Sequence, residues 1–191
     1  MNFRIMQFSK ILVASACFAF CNSHQTTKIV NAPATCNELE AGQTGFLQLT
    51  SPEEPGELLT VYGKVVDQLK GTAVPGASIF FYQTDSSGIY NPNGGPDREA
   101  RIKGTVLTNE SGCFKIKTIL PGDYPGQKNS RHLHYILTAE GFKETKSILF
   151  FKGFTTSNLS NSETLAVLDI WKDDAGGWIG SMDLKIIRSD D

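Results

Sequence analysis

Two of the three histidines in this chain lie one residue apart, in the segment RHLHYIL at residues 131–137. The segment is rich in apolar and aromatic residues, a composition typical of a β-strand. Side chains i and i+2 of a strand point to the same face, so His132 and His134 are predicted to lie side by side. Two imidazoles in this arrangement are either half of a metal site or two polar residues on an exposed face.

Two tyrosines lie in turn-forming segments beside predicted strands. Tyr124 is in PGDYPG, just before the histidine pair, and Tyr90 is in SSGIYNP, within a polar surface excursion at 86–103. Imidazole binds iron among other metals. A phenol, with a pKa of about 10, becomes an anionic ligand only when a strongly charged cation displaces its proton. Two phenols and two imidazoles therefore favour a hard trivalent ion such as Fe(III), with a hydroxide neutralising its third charge.

The segments that must position these residues alternate between apolar and polar side chains and are separated by Gly, Pro and Asn turns. The predicted strands are LLTVYGKVVD at 58–67, ASIFFYQTD at 77–85, GTVL at 104–107, CFKIKTI at 113–119, HLHYILT at 132–138, TKSILFF at 145–151, LAVLDIWK at 165–172 and WIGSMDLKII at 178–187. Short strands at this spacing indicate an all-β sandwich or barrel. No window of usable length has a helical period.

In this order the motifs resemble the catalytic core of the intradiol ring-cleavage dioxygenases. These are non-haem Fe(III) enzymes that cleave catechols between the two hydroxyls. The resemblance covers about 55–153 and is carried by VPGASIFFYQTDSSGIY, LTNESGCFKIKTILPGDYPG, HLHYIL and FFKG. It implies a prealbumin-like or Ig-like β-sandwich whose long loops carry the metal site, with Fe(III) held by Tyr90, Tyr124, His132 and His134.

The same resemblance implies a reaction. The substrates would be a catechol-type aromatic diol and O2, and both oxygen atoms would enter a muconate-type diacid without an external reductant. By family analogy Tyr90 and Tyr124 are the catalytic residues, and Tyr124 is the ligand that the diol displaces. Relatives associate through their sandwiches, which predicts a homo-oligomer.

Three positions depart from the family pattern. The family has an arginine three residues before its first histidine, where this chain has Asn129, and a glutamine where it has Ile148. A family Gly-Arg pair reads Gly104–Thr105 here. Arg131 adjoins His132 and is predicted to point to the opposite face of the strand. The metal ligands are thus complete, while the residues expected to handle substrate are altered.

A second class of function fits part of the same pattern. The segments GKVVDQLKGTAVPGASIFF and TNESGCFKI also resemble prealbumin-like regulatory sandwiches, which serve as binding modules without chemistry. Fold does not separate the two readings, because function depends on the site that a fold carries. The two histidines with both tyrosines favour the metal site. An iron-binding relative with altered activity, suggested by Asn129 and Ile148, lies between the two.

The N-terminus predicts export. Residues 1–21 combine basic residues, a short apolar run and a polar continuation, as a secretory signal does. Cys21 resembles a bacterial lipoprotein acceptor cysteine, with Cys17 as the alternative, and predicts a lipid tether to the membrane. We expect a periplasmic or cell-envelope protein with a tether and irregular lead-in at 22–54 and the sandwich at 55–191. The net charge of −2 and the absence of a basic run exclude nucleic acid as an expected partner.

The remaining cysteines and aromatic residues have structural interpretations. Cys36 and Cys113 either form a disulfide in an oxidising compartment or are separate core residues. Trp171 and Trp178 flank a predicted hairpin and are expected to pack against each other across it. Three further tyrosines alternate with apolar residues in strands and are predicted to serve packing alone: Tyr62, Tyr82 and Tyr135.

Overall fold

The computed structural model describes residues 35–155 and 165–189. The predicted export signal at 1–21, with the candidate lipid acceptors Cys17 and Cys21, lies outside the described residues. Within the described part, no helix is both long enough and apolar enough to cross a membrane.

The described residues form β-strands and two short 3₁₀ helices, Cys36–Glu38 and Asp97–Glu99. The strands are β1 (Phe46–Gln48), β2 (Leu58–Asp67), β3 (Ser78–Gln83), β4 (Ile102–Leu107), β5 (Cys113–Ile119), β6 (Ser130–Thr138), β7 (Thr145–Thr155), β8 (Leu165–Leu168), β9 (Ile170–Lys172), β10 (Trp178–Ser181) and β11 (Leu184–Ile186). Each predicted strand segment contains at least one observed strand, whereas β1 was not predicted.

The first sheet has the order β1-β5-β2-β10-β9, with β11 also paired to β2. The ten residues of β2 are long enough to pair with two partners in succession. Leu59 lies opposite Trp178 of β10, and Val65 lies opposite Leu184 of β11, both in parallel register. The C-terminal strands therefore extend one sheet along a single long strand.

The second sheet has the order β4-β3-β6-β7-β8, which places β6 in its centre. Alternate residues of β6, Leu133 and Leu137 among them, are buried in the core, while His132 and His134 point to the other side. We call that side the outer face of the second sheet. Its side chains on the three central strands include Phe80, Tyr82, His132, His134, Ile136, Lys146, Ile148 and Phe150.

The two sheets pack their inner faces together to form one continuous hydrophobic core. The largest buried side chains in it are Phe81, Phe114, Phe151, Leu59, Ile79, Ile116, Leu133, Leu137, Leu149 and Leu168. This arrangement confirms the predicted all-β sandwich. It leaves the outer face of the second sheet available to carry a site.

The lead-in at 22–54 is not irregular throughout. β1 pairs in parallel with β5, and Cys36 forms a disulfide with Cys113, with their Cα atoms 5.2 Å apart. The disulfide is buried beside Leu39 and half-buried Phe46. Because the segment has no hydrophobic periodicity, its sequence gives no strand signal, and the cross-link and local packing hold it on the sheet.

The expected packing of the two tryptophans against each other is wrong. The hairpin register puts Trp171 opposite Ile179 and Trp178 opposite Lys172. Trp178 instead meets Phe154 edge-on, with ring centroids 5.5 Å apart. A one-residue difference in register decides which side chains face each other, and sequence pattern does not specify it.

We predict that the disulfide contributes substantially to stability, because it closes a loop with a sequence separation of 77 residues. Chain-entropy reasoning gives about 4 kcal/mol for a loop of this size. Urea unfolding of the oxidised protein and of a Cys36→Ala/Cys113→Ala variant should differ by roughly this amount. Equal unfolding midpoints would show that the cross-link does not stabilise the fold in solution.

Candidate metal centre

Tyr90 is held by the loop that joins β3 to β4. The carboxylate of Asp85 accepts hydrogen bonds from the backbone N–H groups of Ser87 and Ile89 at 2.9 and 3.1 Å, which folds the start of the loop into an Asx turn. The backbone N–H of Arg101 donates to the carbonyl of Tyr90 at 2.8 Å. The guanidinium of Arg101 also donates two bonds to Glu54, at 2.7 and 2.6 Å. Tyr90 is therefore fixed from both ends of its loop.

Tyr124 is held by a compact turn at 123–130. The hydroxyl of Ser130 accepts the Tyr124 N–H at 2.8 Å and donates to the carbonyl of Gln127 at 3.0 Å. The Ser130 N–H donates in turn to the carboxylate of Asp123 at 2.8 Å. These bonds tie the turn to the first residue of β6, two positions before His132.

Two glycines allow the tyrosine loops to touch. A Cβ at Gly88 would overlap the backbone carbonyl of Asp123, and one at Gly122 would overlap the carbonyl of Ser86. Gly88 also has a φ of +84°, a conformation that other residues adopt only with strain. Backbone contact at these points brings Tyr90 and Tyr124 to the same place.

The two histidines reach the tyrosines from β6. Nδ1 of His132 lies 2.5 Å from the carbonyl oxygen of Ser130. A carbonyl only accepts, so Nδ1 carries the proton and Nε2 presents a lone pair to the site. This is the arrangement by which proteins orient a metal-binding histidine.

The side-chain donor atoms of Tyr90, Tyr124, His132 and His134 converge. The phenol oxygens are 2.7 Å apart, and the two Nε2 atoms are 2.9 Å apart. Tyr90 Oη lies 3.1 Å from Nε2 of His132 and 2.8 Å from Nε2 of His134, and Tyr124 Oη lies 3.1 Å from Nε2 of His132. The structure thus brings together all four predicted site residues.

These distances fit the donor atoms of one metal ion. With metal–ligand bonds of about 2.0–2.1 Å, two ligands at right angles are separated by roughly 2.9 Å. Tyr90 Oη has one proton to donate, yet it lies within hydrogen-bonding distance of Tyr124 Oη and of the Nε2 atoms of His132 and His134. A cation at the centre would serve all four atoms at once. Among the described residues, the His, Cys, Asp and Glu side chains alone form no metal-binding group of three, so the tyrosines are essential to such a site.

All four donor groups are neutral near pH 7. Burial, and then the hydrogen bond with Tyr124, raises the pKa of Tyr90 well above its ordinary value, and burial also raises the pKa of Tyr124. Burial lowers the pKa of His132. Burial, followed by the neighbouring His132, lowers the pKa of His134 to about 4. The imidazoles are therefore ready to bind a cation, whereas the phenols require one to release their protons.

Tyr82 is part of this environment, although the sequence predicted only packing for it. Its ring is stacked on that of His134, with centroids 4.5 Å apart and planes 3° from parallel. It lies directly across from His134 because β3 pairs with β6. The signal available in the sequence was the alternation that puts Tyr82 on the outer face. The sequence gives no signal for the strand pairing that brings Tyr82 to His134.

Two of the positions that depart from the family pattern, Ile148 and Asn129, adjoin residues of the site. The third, Gly104–Thr105, is on β4 opposite Phe81 and Phe80 of β3. Ile148 lies opposite His134 in the pairing of β6 with β7. Asn129 is exposed, just before β6, with a φ of 58° that asparagine tolerates better than most residues. Arg131 contacts the Phe154 ring at 4.9 Å and the Asp123 carboxylate at 3.5 Å. Its guanidinium therefore does not replace a cation at position 129.

The family model and the similar sequences both point to dioxygenases. A family model described as Dioxygenase matches residues 30–157. The catechol 1,2-dioxygenase of Acinetobacter baylyi is 23% identical over 52% of this chain, and the hydroxyquinol 1,2-dioxygenase of a Rhizobium species is 30% identical over 50%. The chain spans 38% of the length of each of these two proteins.

Solved structures support the fold. The 3-chlorocatechol 1,2-dioxygenase of Rhodococcus opacus superposes with a TM-score of 0.60 at 24% identity, covering 76% of this chain and 66% of that one. The dioxygenase domain of a dioxygenase carbohydrate-binding protein fusion from a Streptomyces species gives a TM-score of 0.61 at 24% identity, covering 79% of this chain and 97% of that one.

We predict that Gly88→Ala disrupts the site, whereas Gly126→Ala is a mild control. Both glycines have positive φ, but a Cβ at Gly126 meets nothing within 4 Å. Gly126→Ala should cost about 1–2 kcal/mol of unfolding free energy for its backbone conformation alone. Gly88→Ala should cost clearly more, because the tyrosine loops must separate. Urea unfolding measures both, and equal losses would contradict the close approach of the loops.

A second prediction concerns pH in protein stripped of metal. The unfolded chain protonates His134 near pH 6.5, whereas the folded chain does so only near 4. The folded state binds fewer protons in this range, so stability should fall as pH drops from about 6.5 through 4. The contribution of His134 should be roughly 1–2 kcal/mol, reduced for partial solvent screening. Urea unfolding from pH 7.5 to 4 measures the free energy of unfolding as a function of pH, and His134→Asn should make this dependence weaker. An unchanged pH dependence in the variant would contradict the lowered pKa of His134.

Proposed function

This chain belongs to the intradiol ring-cleavage dioxygenase family, and on that basis we propose that it binds one Fe(III) through Tyr90, Tyr124, His132 and His134 and cleaves an aromatic diol. The observation that carries the proposal is the convergence of these four donor atoms at 2.7–3.1 Å. Packing alone gives no reason for two phenols and two imidazoles to direct their polar atoms at one point.

The donor set suits a trivalent ion. Two tyrosinates would neutralise two of its charges, and a hydroxide the third. The imidazoles already present neutral nitrogens at pH 7, because burial lowers their pKa values. When bound, Fe(III) would supply Lewis acidity, drawing electron density from the diol ring and making it reactive toward O2.

The chain's own residues would bind the diol and move its protons. We assign Tyr124 as the group that accepts a proton from a diol hydroxyl, as a general base. Its turn is anchored by Ser130, so its backbone can remain fixed while the phenol changes partner. Tyr90 and His132 would stay in place, since Tyr90 is clamped through Arg101 and His132 through the Ser130 carbonyl. In the overall reaction the diol ring bond between the two hydroxyl-bearing carbons breaks, and both atoms of O2 enter the resulting muconate-type diacid.

Two observations bear on which diol is the substrate. The chain spans less than half the length of the catechol and hydroxyquinol dioxygenases it matches. Asn129 and Ile148 replace the arginine and glutamine expected beside the substrate, which favours a substrate range that differs from plain catechol. An iron-binding relative with altered activity is the second candidate function, supported by the same two positions.

We further propose that the protein acts after export, in the periplasm or cell envelope. The signal-like segment at 1–21 supports this, and Cys21 would provide a lipid tether. The disulfide between Cys36 and Cys113 is consistent with an oxidising compartment. Association into a homo-oligomer is proposed from family resemblance alone.

The test is the visible absorption of the purified protein loaded with Fe(III), before and after addition of catechol. We expect a tyrosinate-to-iron charge-transfer band that weakens strongly in Tyr90→Phe and Tyr124→Phe. Tyr62→Phe is the matched control, because Tyr62 lies on the first sheet beside the disulfide cluster. Catechol should shift the band, and O2 uptake with formation of a diacid should follow.

The outcomes separate the candidate functions. A band that catechol shifts without any O2 uptake would favour the iron-binding relative. Protein that retains no stoichiometric iron and shows no band would overturn the proposal and favour a binding module without chemistry.

A further inference from the structure

The outer face of the second sheet continues from the metal centre as an apolar surface. Tyr82, His134 and Ile148 lie in one row across β3, β6 and β7. The next row contains Phe80, Ile136 and Lys146; Lys146 is exposed and the other side chains of the two rows are partly exposed. A group leaving the metal centre along this face therefore meets ring and aliphatic surface.

A cavity of about 330 Å³ lies on this surface and begins at His134. This volume is at the lower end of the range for small-molecule sites and exceeds what one diol ring requires. Two other cavities, of about 310 and 360 Å³, adjoin Tyr124. Polar side chains contribute to both, Lys128 and Asn129 in one and Asn91 and Asp97 in the other.

The first cavity has one charged side chain, Lys146. Its Nζ lies 2.8 Å from the carboxylate of Glu144, and both side chains are largely exposed. The charge is therefore compensated and directed to solvent. Its other walls include Tyr82, Ile136 and Ile148. The aromatic and aliphatic part of this lining favours an apolar group, because transferring such a group from water is favourable.

We propose that this cavity is a subsite for an apolar substituent on the aromatic diol, so that the substrate class is diols carrying a bulky alkyl or aryl group. The inference rests on the proposed function, because the diol itself would be bound at the metal centre. Ile148 is the specificity-determining residue: it lies beside His134 at the entrance to the cavity, where the family pattern has a polar glutamine.

The test compares two probes on the Fe(III)-loaded protein without O2. Dissociation constants for catechol and 4-tert-butylcatechol are measured from the shift of the charge-transfer band. We expect the substituted diol to bind at least tenfold more tightly, within the range that hydrophobic pockets provide for added aliphatic groups. Ile148→Gln and Ile136→Gln should each reduce this preference, measured as the ratio of the two dissociation constants, to about twofold or less.

Leu107→Gln is the matched control. Leu107 is exposed and lies on β4, opposite Ser78 rather than beside the cavity. The substitution exchanges the same kinds of side chain on the same sheet and should leave the preference unchanged.

Three results would overturn the subsite. A band shift by catechol without a preference for the substituted diol would reject it and leave the proposed function intact. Loss of the preference in Leu107→Gln to the same extent as in Ile148→Gln would also reject it. A failure of both catechol and 4-tert-butylcatechol to shift the band would reject the proposed function and the subsite together.

Discussion

The register of β6 is the constraint on which the site depends. This strand lies in the centre of the second sheet, where Leu133 and Leu137 fill the core and His132 and His134 face outward. A slip of one residue would bury both imidazoles and expose the leucines, so hydrophobic burial fixes the direction of the histidines. The same burial that stabilises the sandwich therefore also aligns half of the candidate metal centre.

The other half of the candidate metal centre, Tyr90 and Tyr124, depends on two loops whose backbones are fixed by hydrogen bonds and close contacts. Gly88 and Gly122 let the two tyrosine loops touch, and Asp85 and Ser130 satisfy backbone groups within them. Neither tyrosine lies on a strand. Their positions follow from local hydrogen bonding and close backbone contact, which gives a rigid frame for Tyr90 and a separate turn for Tyr124. One clamped and one independently anchored phenol are consistent with the proposed exchange of Tyr124 for a substrate.

The strands could be predicted from side-chain alternation, and the convergence of the four site residues was implied by the resemblance of the ordered motifs to the dioxygenase family. The contacts that cross between segments could not be predicted. Tyr82 contacts His134 because β3 pairs with β6. Trp178 does not lie opposite Trp171, because side-chain alternation does not specify the register of their hairpin. The lead-in was predicted to be irregular, since its attachment depends on a disulfide whose geometry a sequence does not contain. The apolar cavity likewise required the pairing that places Ile148 beside His134.

The most direct test of the central claim is the position of iron in a crystal of the Fe(III)-loaded protein, located by anomalous scattering at the iron edge. The account predicts one strong peak within bonding distance of Tyr90 Oη, Tyr124 Oη and the Nε2 atoms of His132 and His134. A peak at another position, or none at this site in protein that contains stoichiometric iron, would contradict it.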